Sequence, residues 1–210
     1  IILFIALAVG STKQAPVTDA AVKDKMISYA TSLGMDEATF KKDIDSSDTV
    51  AAIKKDQDLA AALNLPGTPS FFVNGVYIET KASSDLAAAV DRALQGQDPA
   101  GGVTPAIKPT DNQKAEIALG QEKGNQASNV TVTEFGDFQC PACKTYETDL
   151  QTTFFPKYLD KVRFVFKNFP LVKIHQNALI SAQAAHAAGK QNKFWEMHDL
   201  LYDKQDEWNN

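Results

Sequence analysis

Residues 130–146 read VTVTEFGDFQCPACKTY, and the rest of the chain is interpreted outward from this stretch. β-Branched and polar residues alternate from Val130 to Glu134, the period of a half-buried strand. Phe135-Gly136-Asp137-Phe138 ends the run, and Cys140-Pro141-Ala142-Cys143 follows at once. The chain has no other cysteine. Two thiols separated by two residues, between a strand and an expected helix, point to a reversible redox pair. A disulfide closing so short a loop adds little chain-entropy stabilisation, so a structural cross-link explains the pair poorly.

At the start of a helix the two thiols have different work. Cys140 lies where unpaired backbone N–H groups and the positive end of the helix dipole favour a thiolate. Cys143, one turn on, is placed to attack a mixed disulfide at Cys140 and release the client. Pro141 suits the first turn, where its missing N–H has no partner to lose. The competing reading is half of a zinc site. Structural zinc takes four ligands, and the chain lacks a second cysteine pair. His175, His186 and His198 show no ligand spacing with the cysteines, so no metal is expected and each is read as an exposed or core helix residue.

The chain of 210 residues is long enough for one α/β core or two small domains. Its formal net charge is −5, with Lys and Arg scattered, which argues against a nucleic-acid surface. Ile1 to Val9 is continuously apolar but well short of the ~20 residues that cross a bilayer as a helix. It reads as the end of a signal peptide or membrane anchor, with a tether to residue 22. The alternative is a buried N-terminal strand.

Helical spacing starts near Val22 and stops at Leu33-Gly34. Asp36 is the expected cap of a second helix, and Ser47 or Asp48 of a third carrying Val50, Ile53, Leu59 and Leu63. Phe71–Val73 and Val76–Ile78 read as strands joined by a two-residue turn at Asn74-Gly75. Ser83 or Ser84 is then expected to cap a helix through Leu94. Residues 95–128, rich in Gly and Pro, read as a linker with one weak helix at 112–119. Beyond the CPAC helix, whose end is expected at Pro156, a strand over 162–166 and two more helices follow. The chain stops at Asn210 without a closing strand, so neither half is a complete domain by itself.

These residues carry a resemblance. Val132 to Cys143, with Phe166-Lys-Asn-Phe-Pro-Leu171 and the helices bearing Phe194-Trp195-Glu196-Met197-His198, resembles the active-site half of the DsbA-like thiol–disulfide oxidoreductases. Leu65-Pro-Gly-Thr68-Pro69-Ser-Phe-Phe-Val-Asn-Gly75 is similar to that family's cis-proline loop and last hairpin. The resemblance implies an α/β, thioredoxin-like fold with an inserted α-helical subdomain. It departs in order: residues 23–94 match the family's C-terminal half and 129–210 its N-terminal half. A circular permutant is the expectation, because the halves are complementary and do not overlap; the end and start of tandem domains, or two half-domains completing each other in a swapped dimer, are the alternatives.

Carried over residue by residue, the resemblance makes Cys140 the nucleophile and Cys143 the resolving thiol. Pro69 becomes the cis-proline facing them, and Thr68 helps hold the client backbone. Glu134 matches a buried acid that relays protons to Cys143; read alone it is equally a strand acid facing solvent. Asp137 reads as a turn residue. Ala142 stands where the most oxidising members have His, which implies a less oxidising couple. The expectation is an exported, membrane-anchored oxidoreductase with no cofactor, acting on client cysteines and reset by a membrane redox partner. A reductase or isomerase, or a peptide-binding module without turnover, are the alternatives.

Overall fold

The computed structural model describes residues 19–209. The expected anchor and most of the tether lie outside the described residues. Three helices come first: α1 (Asp19–Ser32), α2 (Glu37–Ile44) and α3 (Ser47–Ala62). Gly34 takes a φ of +76° to end the first, as its position suggests. Asp36 caps α2 by accepting the Thr39 N–H at 2.7 Å. The cap of α3 is Ser46, one residue earlier than expected, because its hydroxyl reaches the Thr49 N–H while Ser47 already has helical geometry.

Strands β1 (Ser70–Val73) and β2 (Val76–Ile78) form the expected hairpin, with Asn74 and Gly75 at φ +50° and +75°. Helix α4 (Ser83–Leu94) follows. Its cap position is Ala82, not a serine; the Asp85 carboxylate takes the Lys81 and Ala82 N–H groups instead. The linker expectation narrows to about 95–110. Within 111–128 lie helix α5 (Asp111–Ile117) and a strand, β3 (Gln121–Gly124).

The signature stretch gives β4 (Thr131–Gly136) and α6 (Pro141–Asp149). The helix does not end at Pro156. It passes through a π-turn at Leu150–Phe154 into α7 (Phe155–Tyr158), a wide turn that accommodates the proline's missing N–H. Then come β5 (Arg163–Asn168), α8 (Ala178–Gly189), α9 (Phe194–Asp203) and α10 (Gln205–Trp208).

One five-stranded sheet runs β2-β1-β4-β5-β3. β4 and β5 are parallel; the other neighbours are antiparallel. The sheet therefore draws strands from both halves of the chain, with Ser70 opposite Phe135 and Val73 opposite Val132. Alternation sets the two faces. Phe71, Val132 and Phe164 pack with α4 and the π-turn helix, while Phe72 and Phe135 pack with α3 and Ile117 of α5. A third core joins α1, α2, α8 and α9 to Phe138, Phe166 and both cysteines. The expected α/β fold with a helical subdomain is thus present. Asn210 lies outside the described residues, but α10 reaches α1 through Glu207, which pairs with Lys25 at 2.9 Å and accepts from the Tyr29 hydroxyl at 3.3 Å.

Candidate active site

Where β4 ends, buried Asp137 fixes the loop that presents Cys140. Its carboxylate accepts the N–H groups of Gln139 at 2.8 Å and Leu171 at 2.9 Å, and meets His175 Nδ1 at 2.7 Å. It is a loop staple, more than the turn residue its sequence suggests, and His175 lies in the following turn, not on a helix. From α10, the buried Gln205 amide donates to the Phe138 and Cys140 carbonyls at 2.7 and 3.1 Å. Gln139 Oε1 accepts the Asn177 N–H. The helical subdomain thereby holds the redox loop from behind.

Cys140 caps α6 with extended backbone geometry, and Pro141 takes the first helical position. Its Sγ lies 3.5 Å from the Thr68 carbonyl oxygen, and the Thr68–Pro69 peptide bond is cis. The structure thus brings Thr68, Pro69, Cys140 and Cys143 to one place. The Cys140 thiol is pushed down to about 5, chiefly by the Cys143 S–H donated to it, against burial; the Thr68 side chain and the Cys143 and Ala142 N–H groups add to the effect. The Thr68 hydroxyl has no other partner among the described residues, which leaves it as a donor for the thiolate. Cys143 is fully buried and is pushed well above the ordinary thiol range, by that burial first and by Cys140 next. Both thiols are free. Both are buried, Cys140 at 7% and Cys143 at 0% exposure, and they differ in the direction in which their surroundings push them.

Glu134 is completely buried, not facing solvent. Phe71 of β1 and Phe166 of β5 flank it across the sheet. Burial raises its proton affinity well above the carboxylate norm, and the Glu147 charge raises it further, against Lys123. Gly136 makes this enclosure possible: a Cβ there would sit 2.5 Å from the Phe166 ring and 3.2 Å from Glu134 Oε1.

Several residues around Glu134 escaped the sequence reading. Lys123 on β3 lays its ammonium 3.8 Å from the Phe155 ring centre and 4.2 Å from that of Trp195. Burial pulls its pKa down against the field of Glu147, Asp199 and Glu134. Glu147, one helical turn beyond Cys143, is buried, as are His198 and Tyr202 of α9. Glu147, His198 and Asp199 offer ligand atoms within 4.8 Å of one another. With Lys123 already supplying the positive charge beside them, the trio is an ion and hydrogen-bond cluster before it is a metal set. Their only sequence signal was a Glu and a His-Asp on helix faces, which is shared by countless surface helices.

The fold and this geometry agree with two family matches. A model described as DSBA-like thioredoxin domain matches residues 11–95, and one described as Thioredoxin matches residues 117–210. Each family model covers less than half of the chain, so what the matches give is a likeness to DSBA-like and thioredoxin domains. Within curated proteins, it is 35% identical over 105 residues to "Probable disulfide bond formation protein D" of Bacillus cereus, covering 46% of this chain and 48% of that one. It is 34% identical over 87 residues to "Disulfide bond formation protein D" of Bacillus subtilis, covering 39% and 38%. It is 38% identical over 119 residues to "Na(+)/H(+) antiporter NhaA 1" of Salinispora arenicola, covering 55% of this chain and 16% of that protein. The chain thus spans between about a sixth and a half of the length of these three relatives. Among the described residues no helix is long and apolar enough to cross a membrane.

Proposed function

We propose that this DSBA-like chain is a thiol–disulfide oxidoreductase acting on cysteines of exported proteins. The observation that carries the reading is the split of the two thiols. Cys140 is pushed down to about 5 while Cys143 beside it is pushed far up, and Cys140 Sγ lies against Thr68 next to the cis Pro69 bond. A thiolate with that affinity is the species that attacks a disulfide, and a buried protonated neighbour resolves the product only when a base takes its proton. Cys140 is the nucleophile and Cys143 the resolving thiol. Glu134 exchanges the proton of Cys143. Thr68 and Pro69 hold the client backbone across from Cys140.

The chemistry needs no metal or organic cofactor, but a redox partner must reset the pair, and a membrane quinone-linked oxidase fits an exported enzyme. The relatives named for disulfide bond formation support an extracytoplasmic setting. Strands from residues 70–78 and 121–168 share one sheet, which supports a permuted order of the two halves within one chain.

Wild-type protein is expected to accelerate both refolding of a reduced, cysteine-containing client and reduction of insulin, with the faster of the two giving the working direction. Cys140→Ser is expected to abolish both. If that variant keeps its effect on the client, the enzyme reading fails and a peptide-binding module replaces it.

A further inference from the structure

Each residue of the short helix α10 ties down a different part of the molecule. Asp206 pairs with Lys144 of α6 at 2.7 Å, and Glu207 with Lys25 of α1 at 2.9 Å. Trp208 is fully buried; its indole N–H donates to the Leu201 carbonyl of α9 at 3.1 Å, and its own carbonyl accepts from Asn177 Nδ2 at 3.2 Å. Gln205, 2% exposed, turns the other way and donates to the carbonyls of Phe138 and Cys140. α10 is a fixed platform, and Gln205 carries its position to the nucleophile.

The amide acts where the stereochemistry of Cys140 is decided. A residue's ψ sets the direction of its carbonyl, and Cys140 has φ −71° and ψ 121°, the extended geometry of a helix N-cap. At those angles an N-cap side chain turns back over the first helical turn, and the Cys140 sulfur accordingly takes the N–H groups of Ala142 and Cys143. The Cys140 carbonyl accepts the Lys144 N–H at 3.2 Å as well as the Gln205 amide. The Phe138 carbonyl has no donor other than Gln205 among the described residues, and Phe138 is buried. A buried carbonyl that loses its donor carries the full desolvation penalty, so residues 138–140 would shift to find another. That shift swings the sulfur away from the N–H groups and from the Thr68 carbonyl it faces at 3.5 Å.

We propose that Gln205 is a positioning residue for Cys140: its amide fixes the angle from which the sulfur meets a client disulfide laid along Thr68-Pro69. The inference deepens the oxidoreductase reading and rests on it. In the step concerned, the Cys140 thiolate attacks the client sulfur and its electron pair forms the mixed disulfide. The client's S–S bond breaks, and the other sulfur leaves as a thiolate. A primary amide suits the place, because one nitrogen offers two N–H donors without a charge, whereas a carboxylate would set oxygens against two carbonyls. The titratable neighbours of the thiolate are Cys143 on α6 and Glu134 on β4. Gln205 adds no charge to them and works through geometry.

The test uses a peptide whose cysteine is joined to 2-nitro-5-thiobenzoate, mixed in excess with reduced protein well above the Cys140 midpoint of about 5, so that attack releases the coloured thiol. Gln205→Met removes the donors at similar volume. It is expected to lower the maximal rate of colour release by about ten- to a hundredfold, the cost of misplacing a reacting atom by about an ångström. The half-saturating peptide concentration stays the same. Iodoacetamide needs no docked geometry, so its plateau rate is kept or raised while its midpoint moves up with the loss of the N–H groups. A raised midpoint alone would make a better nucleophile and speed both reactions. Ser46→Ala, which removes the cap of α3, lowers stability and moves neither rate.

Where Gln205→Met shows no cooperative urea transition, Gln205→Asn, with its amide one methylene short, is expected to give the same pattern. Unchanged colour release overturns the inference. So does an equal loss of alkylation and colour release, which would make Gln205 a support of the loop alone, and so does failure of both variants to fold. A wild-type chain that is alkylated at Cys140 but releases no coloured thiol fails the oxidoreductase reading itself, whatever the variants do.

Discussion

Cys140 Sγ lies 3.5 Å from the carbonyl oxygen of Thr68, a residue 72 positions earlier in the chain. Neither residue makes a site alone. The CPAC helix supplies a low-pKa thiol and a hidden partner, and in the proposed function the Thr68-Pro69 loop is the surface that a client chain lies against.

The first prediction concerns the thiolate. Alkylation of Cys140 should titrate with a midpoint near 5, and Cys143→Ala should raise that midpoint because the Cys143 S–H is the largest cause of the depression. The linkage has a sign. An unfolded thiol keeps its proton to about pH 8.5 whereas folded Cys140 has lost it, so between about 5 and 8.5 the unfolded state binds more protons. The reduced protein should therefore gain stability toward alkaline pH and lose it as pH falls through 5, as urea unfolding at several pH values would show. With a thiol at about 5 and Ala142 in place of a cation, the couple should lie between about −270 and −120 mV. A glutathione titration that places it at the oxidising extreme would contradict this.

Glu134 should behave in the opposite sense. Its folded affinity for a proton is raised by burial, so above the ordinary carboxylate range the folded state binds more protons than the unfolded state. Stability is lost as pH rises through that window. Glu134→Leu should stabilise the protein at neutral pH by about 1–3 kcal/mol, the scale of a buried polar group without a partner, and should flatten the pH dependence. The same variant should slow peptide release from Cys140. Its thermal midpoint and its turnover are thus expected to move in opposite directions.

Gly136→Ala tests the lid over that acid. The added methyl would meet the Phe166 ring at 2.5 Å, and Phe166 is held between Phe138, Phe194 and His198. Overpacking of this kind costs about 1–3 kcal/mol. The displaced ring would also admit water to Glu134, so the variant should lose stability while the acid titrates closer to its ordinary value. A neutral outcome in both measurements would mean that Phe166 does not enclose Glu134.

Asp56 on α3 joins the helical subdomain to β5. Its carboxylate pairs with Lys167 Nζ at 2.7 Å and accepts the Asn168 N–H at 3.0 Å, and the Lys167 side chain is only 4% exposed. Asp56→Ala strands a buried ammonium and should cost about 3–5 kcal/mol, whereas replacing both partners together, Asp56→Leu with Lys167→Met, should recover much of the loss. Chemical denaturation of the three variants distinguishes the pair from a passive contact.

How much of this was legible depends on whether the signal is local. Cys140-Pro-Ala-Cys143, Asn74-Gly75 and the alternation of β4 are short strings whose chemistry or turn geometry is written in adjacent residues, and they placed the redox helix and the hairpin. Gln121–Gly124 is a four-residue edge strand of half-buried polar residues, with no apolar period to announce it. It was absorbed into the linker. Lys123 becomes a core residue only because Phe155 and Trp195, far along the chain, lay rings against it. Glu134 had equal claims to solvent and to the core, since a strand acid looks the same in both; Phe166 and Gly136 decide the matter. Gln205 and Asp137 act through hydrogen bonds to residues far along the chain, Phe138 and Cys140 for the one and Leu171 and His175 for the other, which no sequence period encodes.

The last prediction concerns closure of the chain. The two halves meet through the β1–β4 ladder, through Asp56 with Lys167, and through Tyr29 and Lys25 with Glu207. All of these contacts are made within one chain, with residues 95–128 connecting the halves. The linker is docked along the way: Arg92 donates to the Pro99 carbonyl, and Ile107 packs against the core that holds Phe72 and Phe135. A docked connection of fixed path favours closure on its own partner over exchange with a second copy. Light scattering behind size-exclusion should therefore give a monomer whose mass does not change with concentration. A well-folded dimer that keeps Thr68 beside Cys140 would instead mean that each copy completes the other's site. Mixing Cys140→Ser with Thr68→Ala protein separates the two cases, because only exchanged halves can rebuild an intact pair from two damaged chains.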